Sequence, residues 1–275
     1  MAKNHPAKYK RNKKKPNTSR RNSAVKRNTG AAGPPAVKLR LNKYIAQCGI
    51  CSRRRAVDLI KAGEVTVNGD VVTHPAYEVR QDDVIRYKGK VVKPTEEKVY
   101  ILMNKPKNVI TTVKDERGRL TVIDLLRNKV PQRVFPVGRL DRHTTGLLLL
   151  TNDGELAHQL SHPSYRMKKI YHVTLDKALT RADMDKIERG IRLEEGIARV
   201  DGLYVPDPKS PHKIALELHI GWNRVVRRIF EYLGYEVRKL DRVYYAGLTK
   251  KDLKRGWFRH LTAQEVIMLK HFSRR

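Results

Sequence analysis

Cysteine is almost absent from this chain of 275 residues, which has only Cys48 and Cys51. Two thiols cannot build a disulfide framework, and their scarcity fits a reducing compartment. The Cys-Gly-Ile-Cys spacing would suit half a zinc site or a redox pair. No second cysteine pair stands at a matching distance, and packing at a helix-helix turn is the plainer reading, so no metal site is expected. Long apolar runs are missing too: nothing approaches the roughly 18 residues that span a bilayer, and no basic amphipathic anchor stands out. A membrane partner is therefore not expected. The opening residues lack the apolar centre of a secretory signal, which makes a cytoplasmic location the expectation.

Acidic residues are the next shortage. None precedes Asp58, and 28 Asp and Glu face 59 Lys and Arg, leaving a formal charge of +31. Such an excess repels itself in isolation, so a polyanionic partner, nucleic acid, is the simplest physical account of it. Residues 1–38 carry twelve Lys or Arg among Asn, Pro, Ser, Gly and Ala. This segment is expected to be a disordered basic arm. It either binds phosphates by releasing counterions or serves only as a solubilising tail.

At 40% hydrophobic residues the rest can bury a core, and its length suggests two domains. Leu41, Tyr44, Ile45 and Cys48 recur at helical spacing until Gly49 stops them. Ser52 is placed to N-cap a second helix over 53–62, with Ala56, Val57, Leu59 and Ile60 on its buried face and Gly63 at its end. Residues 65–73 then form two β-branched runs around Asn68-Gly69, a strong hairpin signal. A strand over 83–87, a Lys-Gly turn, a short run at 91–92 and a polar linker place the domain boundary near residue 97.

Residues 39–92 resemble the small RNA-binding module first known from ribosomal protein S-four. The matching residues are Leu41-Asn-Lys-Tyr-Ile-Ala, Ser52-Arg-Arg-Arg-Ala and Gly63-Glu-Val-Thr-Val-Asn-Gly. The resemblance implies RNA contacts from Arg40, Lys43, Ser52, Arg53, Arg54 and Arg55. Placement at a helix N-terminal turn, where backbone N–H groups also face phosphate, favours that over a merely solvated charge run.

From Val99 onward, strand-like runs at 99–103, 147–151, 170–175, 214–220 and 243–246 alternate with helical patterns at 121–126, 154–160, 181–189, 223–233 and 262–272. A Thr262-x-x-Glu265 capping box opens the last helix. The fold class read from this is α+β: a helix-helix-hairpin domain over 39–97, then a mixed, mainly antiparallel-sheet domain over 98–275. No dinucleotide fingerprint, phosphate loop, nucleophile elbow or His-Glu-x-x-His is present, which disfavours nucleotide hydrolysis and zinc chemistry. What stands out is Phe135-Pro-Val-Gly-Arg-Leu-Asp-Arg-His-Thr-Thr-Gly-Leu-Leu-Leu-Leu-Thr-Asn-Asp-Gly154, a polar loop directly before an apolar strand. Asp141, flanked by Arg139 and Arg142, could be an ionised nucleophile there. By composition alone it could equally be an acid in a loop salt bridge.

Gly138-Arg-Leu-Asp141, Thr145-Gly-Leu-Leu-Leu-Leu-Thr-Asn-Asp-Gly-Glu-Leu-Ala157 and His162-Pro163 resemble the central motif of the pseudouridine synthase family typified by the bacterial small-subunit ribosomal RNA enzyme A. The likeness continues through Asn104-Lys-Pro-Lys-Asn-Val-Ile-Thr111, Lys169-Ile-Tyr-His-Val173 and Asn223-Arg-Val-Val-Arg-Arg-Ile-Phe-Glu-Tyr-Leu-Gly234, with Leu240 and Arg242. The resemblance implies Asp141 as the essential carboxylate, Tyr171 as the active-site aromatic and Arg227 as the arginine that pairs with the aspartate. Arg139, Leu140, Arg224 and Leu240 would complete the substrate pocket. It implies isomerisation of uridine in ribosomal RNA, expected in the 23S molecule, by a monomer without cofactor. A 16S-specific synthase and a silent RNA-binding or ribosome-assembly factor are the alternatives. Asp141 together with Arg227 argues against silence. Two positions depart from the family: Ile220, before Gly221, where Glu-Gly is usual, and Val225 where Gln is. The second removes hydrogen-bonding capacity next to the substrate.

Overall fold

The computed structural model describes residues 39–95 and 97–272, so the expected basic arm lies outside the described residues. Strand β1 (Leu39–Arg40) runs straight into helix α1 (Leu41–Gln47), and α2 (Arg53–Lys61) follows after a short turn. Ser52 caps α2 as its sequence suggests, accepting the Arg55 amide at 3.1 Å. Four strands, β2 (Val65–Val67), β3 (Asp70–Val71), β5 (Ile85–Tyr87) and β6 (Lys90–Val91), form a sheet ordered β3-β2-β5-β6, while β4 (Glu78–Val79) pairs with β1. The turns behave as their residues demand: Asn68 and Gly69 sit at φ 54° and 100°, and Lys88 and Gly89 at 48° and 76°. Both pairs have the positive φ of a two-residue hairpin that follows the right-handed twist of its strands. Leu41, Ile45, Ala56 and Ile60 from the helices meet Val65, Val67 and Ile85 from the sheet in a small core of their own.

The second part is built on a nine-stranded sheet. Its central strands are β7 (Tyr100–Lys105) and β9 (Thr145–Thr151), with β8 (Phe135–Pro136) hydrogen-bonded along β9. The chain then passes through α3 (Gly154–Ser161), β10 (Lys169–Leu175), α4 (Arg181–Arg189) and the small hairpin β11 (Ile191–Leu193) and β12 (Gly196–Ala198). It continues with β13 (Gly202–Tyr204), β14 (Lys213–Leu218), α5 (Val225–Tyr232), β15 (Val237–Tyr245), β16 (Leu248–Thr249), β17 (Phe258–His260) and α6 (Ala263–Phe272). The spatial order is β13-β14-β10-β15-β9-β7-β17. All the neighbours along it pair antiparallel except β15 and β9, which run parallel.

Both faces of the sheet are covered, which is why its central strands read as unbroken apolar runs rather than alternating ones. On β7 and β9, Ile101, Met103, Leu148 and Leu150 point into one core, closed by Ile187 of α4 and by Ile229 and Phe230 of α5. Tyr100, Leu102, Leu147 and Leu149 point into the other, closed by Leu156, Ala157 and Leu160 of α3 and Leu269 of α6. This is the expected α+β architecture, with two corrections. The helix expected over 121–126 is only a single 3-10 turn, Asp124–Leu126. The Asp124 carboxylate accepts from the Thr121 amide and hydroxyl, at 2.8 Å each, and these side-chain bonds compete with a regular helical ladder. The strand expected over 243–246 begins six residues earlier, at Val237. Among the described residues no helix is long and apolar enough to cross a membrane.

Candidate active site

The residues around Asp141 form a tight loop ahead of β9, and the stretch that follows β7 holds it in place. The Lys105 side chain is completely buried, and its Nζ donates to the carbonyls of Thr144 at 2.8 Å, of Asp141 and Pro106 at 3.1 Å and of Arg142 at 3.4 Å. Two further bonds come from the same stretch. Thr111 Oγ1 donates to the Leu140 carbonyl at 2.7 Å, and the Asn108 amide to that of Arg142 at 2.8 Å. Burial outweighs the pull of Asp141 and lowers the Lys105 ammonium from its ordinary 10.5 to about 8, with Arg255 adding repulsion. The family-like stretch from Asn104 to Thr111 includes this lysine without giving it a role, since all its partners but Pro106 lie some 36 to 39 residues away.

Beyond the loop lies a cleft of about 220 Å³, below the ~300–1,000 Å³ usual for drug-sized ligands and suited to one planar ring. Its lining brings together Arg139, Leu140, Asp141, Tyr171, Arg224 and Leu240 from the sequence reading. Leu140 and Leu240 are buried, whereas Arg139 and Arg224 are exposed at the rim. Tyr171, 9% exposed, pairs with Leu216 on one side and Arg242 on the other, immediately after a register shift at Ile170. An irregularity of that kind re-aims a side chain, here toward the loop that carries Asp141. Arg224 sits just before α5 with φ 49°, a left-handed conformation that costs a non-glycine residue energy and is characteristic of functional sites. Its guanidinium reaches Glu231 at 3.0 Å.

Arg227 does not join this group directly. It is absent from the cleft lining and donates from Nη1 to the Val237 carbonyl at 2.7 Å, so no ion pair with Asp141 is closed. Burial lowers the Arg227 pKa, Arg224 adds to that, and Asp141 opposes it through space. The arginine is thus close enough to feel the carboxylate without touching it. Val225 and Ile220, the two departures from the family pattern, both line the cleft and make that wall apolar.

Three residues to which the sequence assigned no role also face the cleft: Thr144, Lys169 and Arg242. Lys169 donates to the His219 carbonyl at 2.6 Å. Burial, followed by repulsion from Arg242, brings it down to about 8. The residue next to Arg242 on the strand, Asp241, is fixed by the Thr145 hydroxyl at 2.9 Å and by ion pairs with Arg255 and Lys250. Burial pushes its pKa up, but those partners bring it net below the ordinary carboxylate value. No group of His, Cys, Asp or Glu that could hold a metal ion occurs among the described residues. His158 and His162 are near neighbours, but their rings, 5.1 Å apart, are tilted against each other. Burial pushes the Cys48 thiol up to about 12, which suits packing rather than redox chemistry.

The expected RNA-contacting side chains are available. Arg40, Ser52, Arg53, Arg54 and Arg55 are exposed and Lys43 half-buried. Ser52 spends its oxygen on the helix cap, and Arg55 lies 3.6 Å from Asp58.

Comparison with known proteins fits this geometry. The RNA pseudouridylate synthase family profile matches residues 99–232, and the S4 domain profile matches residues 39–85. A Bacillus subtilis protein named ribosomal large subunit pseudouridine synthase B is 46% identical over 234 residues, covering 84% of this chain and 95% of the relative. The Escherichia coli dual-specificity RNA pseudouridine synthase RluF is 34% identical over 237 residues, covering 86% and 79%. A crystal structure of a pseudouridylate synthase superposes with a TM-score of 0.61 at 28% identity, covering 84% of this chain and 99% of that one.

Proposed function

The chain belongs to the RNA pseudouridylate synthase family, and from that premise we propose that it converts uridine to pseudouridine in ribosomal RNA of the large subunit. Residues 39–97 would serve as the RNA-binding domain and residues 98–275 as the catalytic one, working in the cytoplasm as a monomer. The observation that carries the reading is the position of Asp141. Among the described residues it is the single carboxylate lining the cleft, held by a loop that Lys105 fastens from behind.

The chemistry asked of such a site is an isomerisation. The bond from ribose to the pyrimidine nitrogen breaks, the base turns over, and the sugar rejoins at a ring carbon, whose proton leaves while the nitrogen gains one. Nothing is oxidised or hydrolysed, so one carboxylate and one proton acceptor suffice. The target nucleotide must leave its stack to reach the cleft, and Tyr171 offers an aromatic side chain for the extruded base to rest against. Arg227 sets a positive charge within electrostatic reach of Asp141, while Leu140 and Leu240 supply apolar walls. The exposed Arg139 and Arg224 suit the phosphates on either side of the nucleotide. Arg40, Lys43 and Arg53 to Arg55 hold the surrounding RNA. The name of the Bacillus subtilis relative supports the large subunit as the target.

Asp141→Asn tests the assignment. The neutral amide keeps the shape but cannot attack, so pseudouridine formation on a large-subunit transcript should vanish while RNA affinity stays within about threefold. Wild-type turnover by this variant would refute the role of Asp141.

A further inference from the structure

Two residues that line the cleft each hold a buried polar atom with no partner. Arg242 is 3% exposed and Thr144 2%. Arg242 donates from Nε to the Leu147 carbonyl at 2.8 Å, and its guanidinium lies 4.4 Å from the centre of the Tyr245 ring, yet its Nη2 finds no acceptor in the protein. The hydroxyl of Thr144 is likewise without a partner. Five such side-chain atoms occur among the described residues, and the two in the cleft belong to these residues. A buried donor that folding leaves unmatched is expensive, and a binding site is where that expense is recovered, because the ligand completes the bond.

On the reading that the cleft takes a flipped nucleotide, we propose that Arg242 and Thr144 recognise the edge of the base. Nη2 donates to a ring carbonyl, the Thr144 hydroxyl bonds the neighbouring ring N–H, and the pair selects uracil over cytosine. A phosphate is the poorer occupant. It is tied into the polymer on both sides and carries its hydration, so it belongs at the rim, where Arg139 and Arg224 are exposed. The flipped base is the part of the nucleotide that enters such a pocket, and Tyr245 lines the cleft beside these two residues. Lys169, the other deep cation, spends a donor on His219. The chemistry of the edge then decides. Uracil presents two carbonyls beside one N–H, whereas cytosine places an amino donor where one carbonyl was and removes the ring proton. A donor would then face a donor, the arrangement by which polar sites reject analogues most strongly.

Thr144→Val removes the hydroxyl at constant shape. Deleting an unpartnered buried oxygen relieves the fold, so thermal stability should hold or rise, while kcat/KM for pseudouridine formation falls at least about tenfold. Thr144→Ser, which restores the hydroxyl, should stay within about threefold of wild type. Arg242→Lys, which cannot serve both Leu147 and the base, should fall about a hundredfold or more. If that variant does not fold, the Val and Ser pair still decides. Carbodiimide mapping of the wild-type product fixes the target position. Asp141→Asn, which binds without turnover, then measures affinity for transcripts bearing U or C there. A preference for U that disappears in Asp141→Asn/Thr144→Val supports the proposal. Wild-type kcat/KM in Thr144→Val, or an unchanged preference in the double variant, overturns it. Absence of pseudouridine from the wild-type reaction would instead overturn the proposed function.

Discussion

Replacing Lys105 by Met separates fastening the loop from holding the fold together. The side chains are of similar length, so packing is nearly conserved, and what disappears is the ammonium with its carbonyl bonds. Three of those bonds lie within 3.1 Å, and at about 1.5–3 kcal/mol for each bond to a charged group they are a large gross attraction. Burial opposes it. A fall in pKa from 10.5 to about 8 means, at ~1.36 kcal/mol per pH unit, that the site still disfavours the charge by about 3 kcal/mol. Met relieves that cost, and the carbonyls it abandons belong to a loop whose Arg142 and His143 are exposed, so they can turn to water. The net loss of stability should be about 1–2 kcal/mol, or a few degrees of melting temperature. Activity should suffer far more, since displacing a reacting group by about 1 Å costs on the order of a hundredfold. Calorimetry and a single-turnover pseudouridine assay on one preparation read both. Activity within threefold of wild type, or outright unfolding, would refute the division of labour.

Two further outcomes follow from the sheet and its buried lysines. Gly146 has φ 106°, and a Cβ there would run into the Arg242 carbonyl oxygen, with the Arg242 amide nitrogen at 2.6 Å and Asp241 Oδ1 at 2.7 Å. Gly146→Ala should therefore cost about 4 kcal/mol or more in urea unfolding, and a loss under about 1 kcal/mol would show that the parallel pairing is not tight. Lys105 and Lys169 both have folded-state pKa values near 8, below the ordinary 10.5 of the unfolded chain, so above pH 8 the unfolded state holds more protons. Stability should then rise from about pH 7.5 to 9, before Cys48 and Tyr245, pushed up to about 12, begin to act in the opposite sense. A melting temperature that falls steadily across that window would contradict the burial of both lysines.

The features legible in the sequence are the ones set by local chemistry. Ser52 announces its cap, Asn68-Gly69 its turn, and the Leu147–Leu150 run a strand covered on both faces. The motif around Asp141 led to the cleft because its residues are contiguous. The strand from Val237 was recognised only in its second half, since Arg238 and Lys239 break the alternation and the pairing with β10 shifts register near Leu175. Lys105 fell within the family-like stretch without a role, because its burial depends on carbonyls more than thirty residues later. The ion pair expected between Arg227 and Asp141 is replaced by a bond to Val237, a backbone partner that no side-chain motif encodes. Arg242 matched the family pattern without a role, because only the fold reveals that part of its guanidinium is idle.

The parallel pairing of β9 with β15 has a consequence for synthesis and folding. Thr145 and Gly146 pair with Asp241 and Arg242, partners about ninety-six residues apart in the chain. Ends that distant meet late, after the entropy of closing the intervening segment has been spent, whereas the Leu39–Val91 module needs only neighbours. A chain emerging from the ribosome thus completes its S4-like module well before it has a cleft. Translation that stops short of Val237 would release a product with the Leu39–Val91 module and no completed cleft, which makes the last seventh of the chain the part that confers turnover.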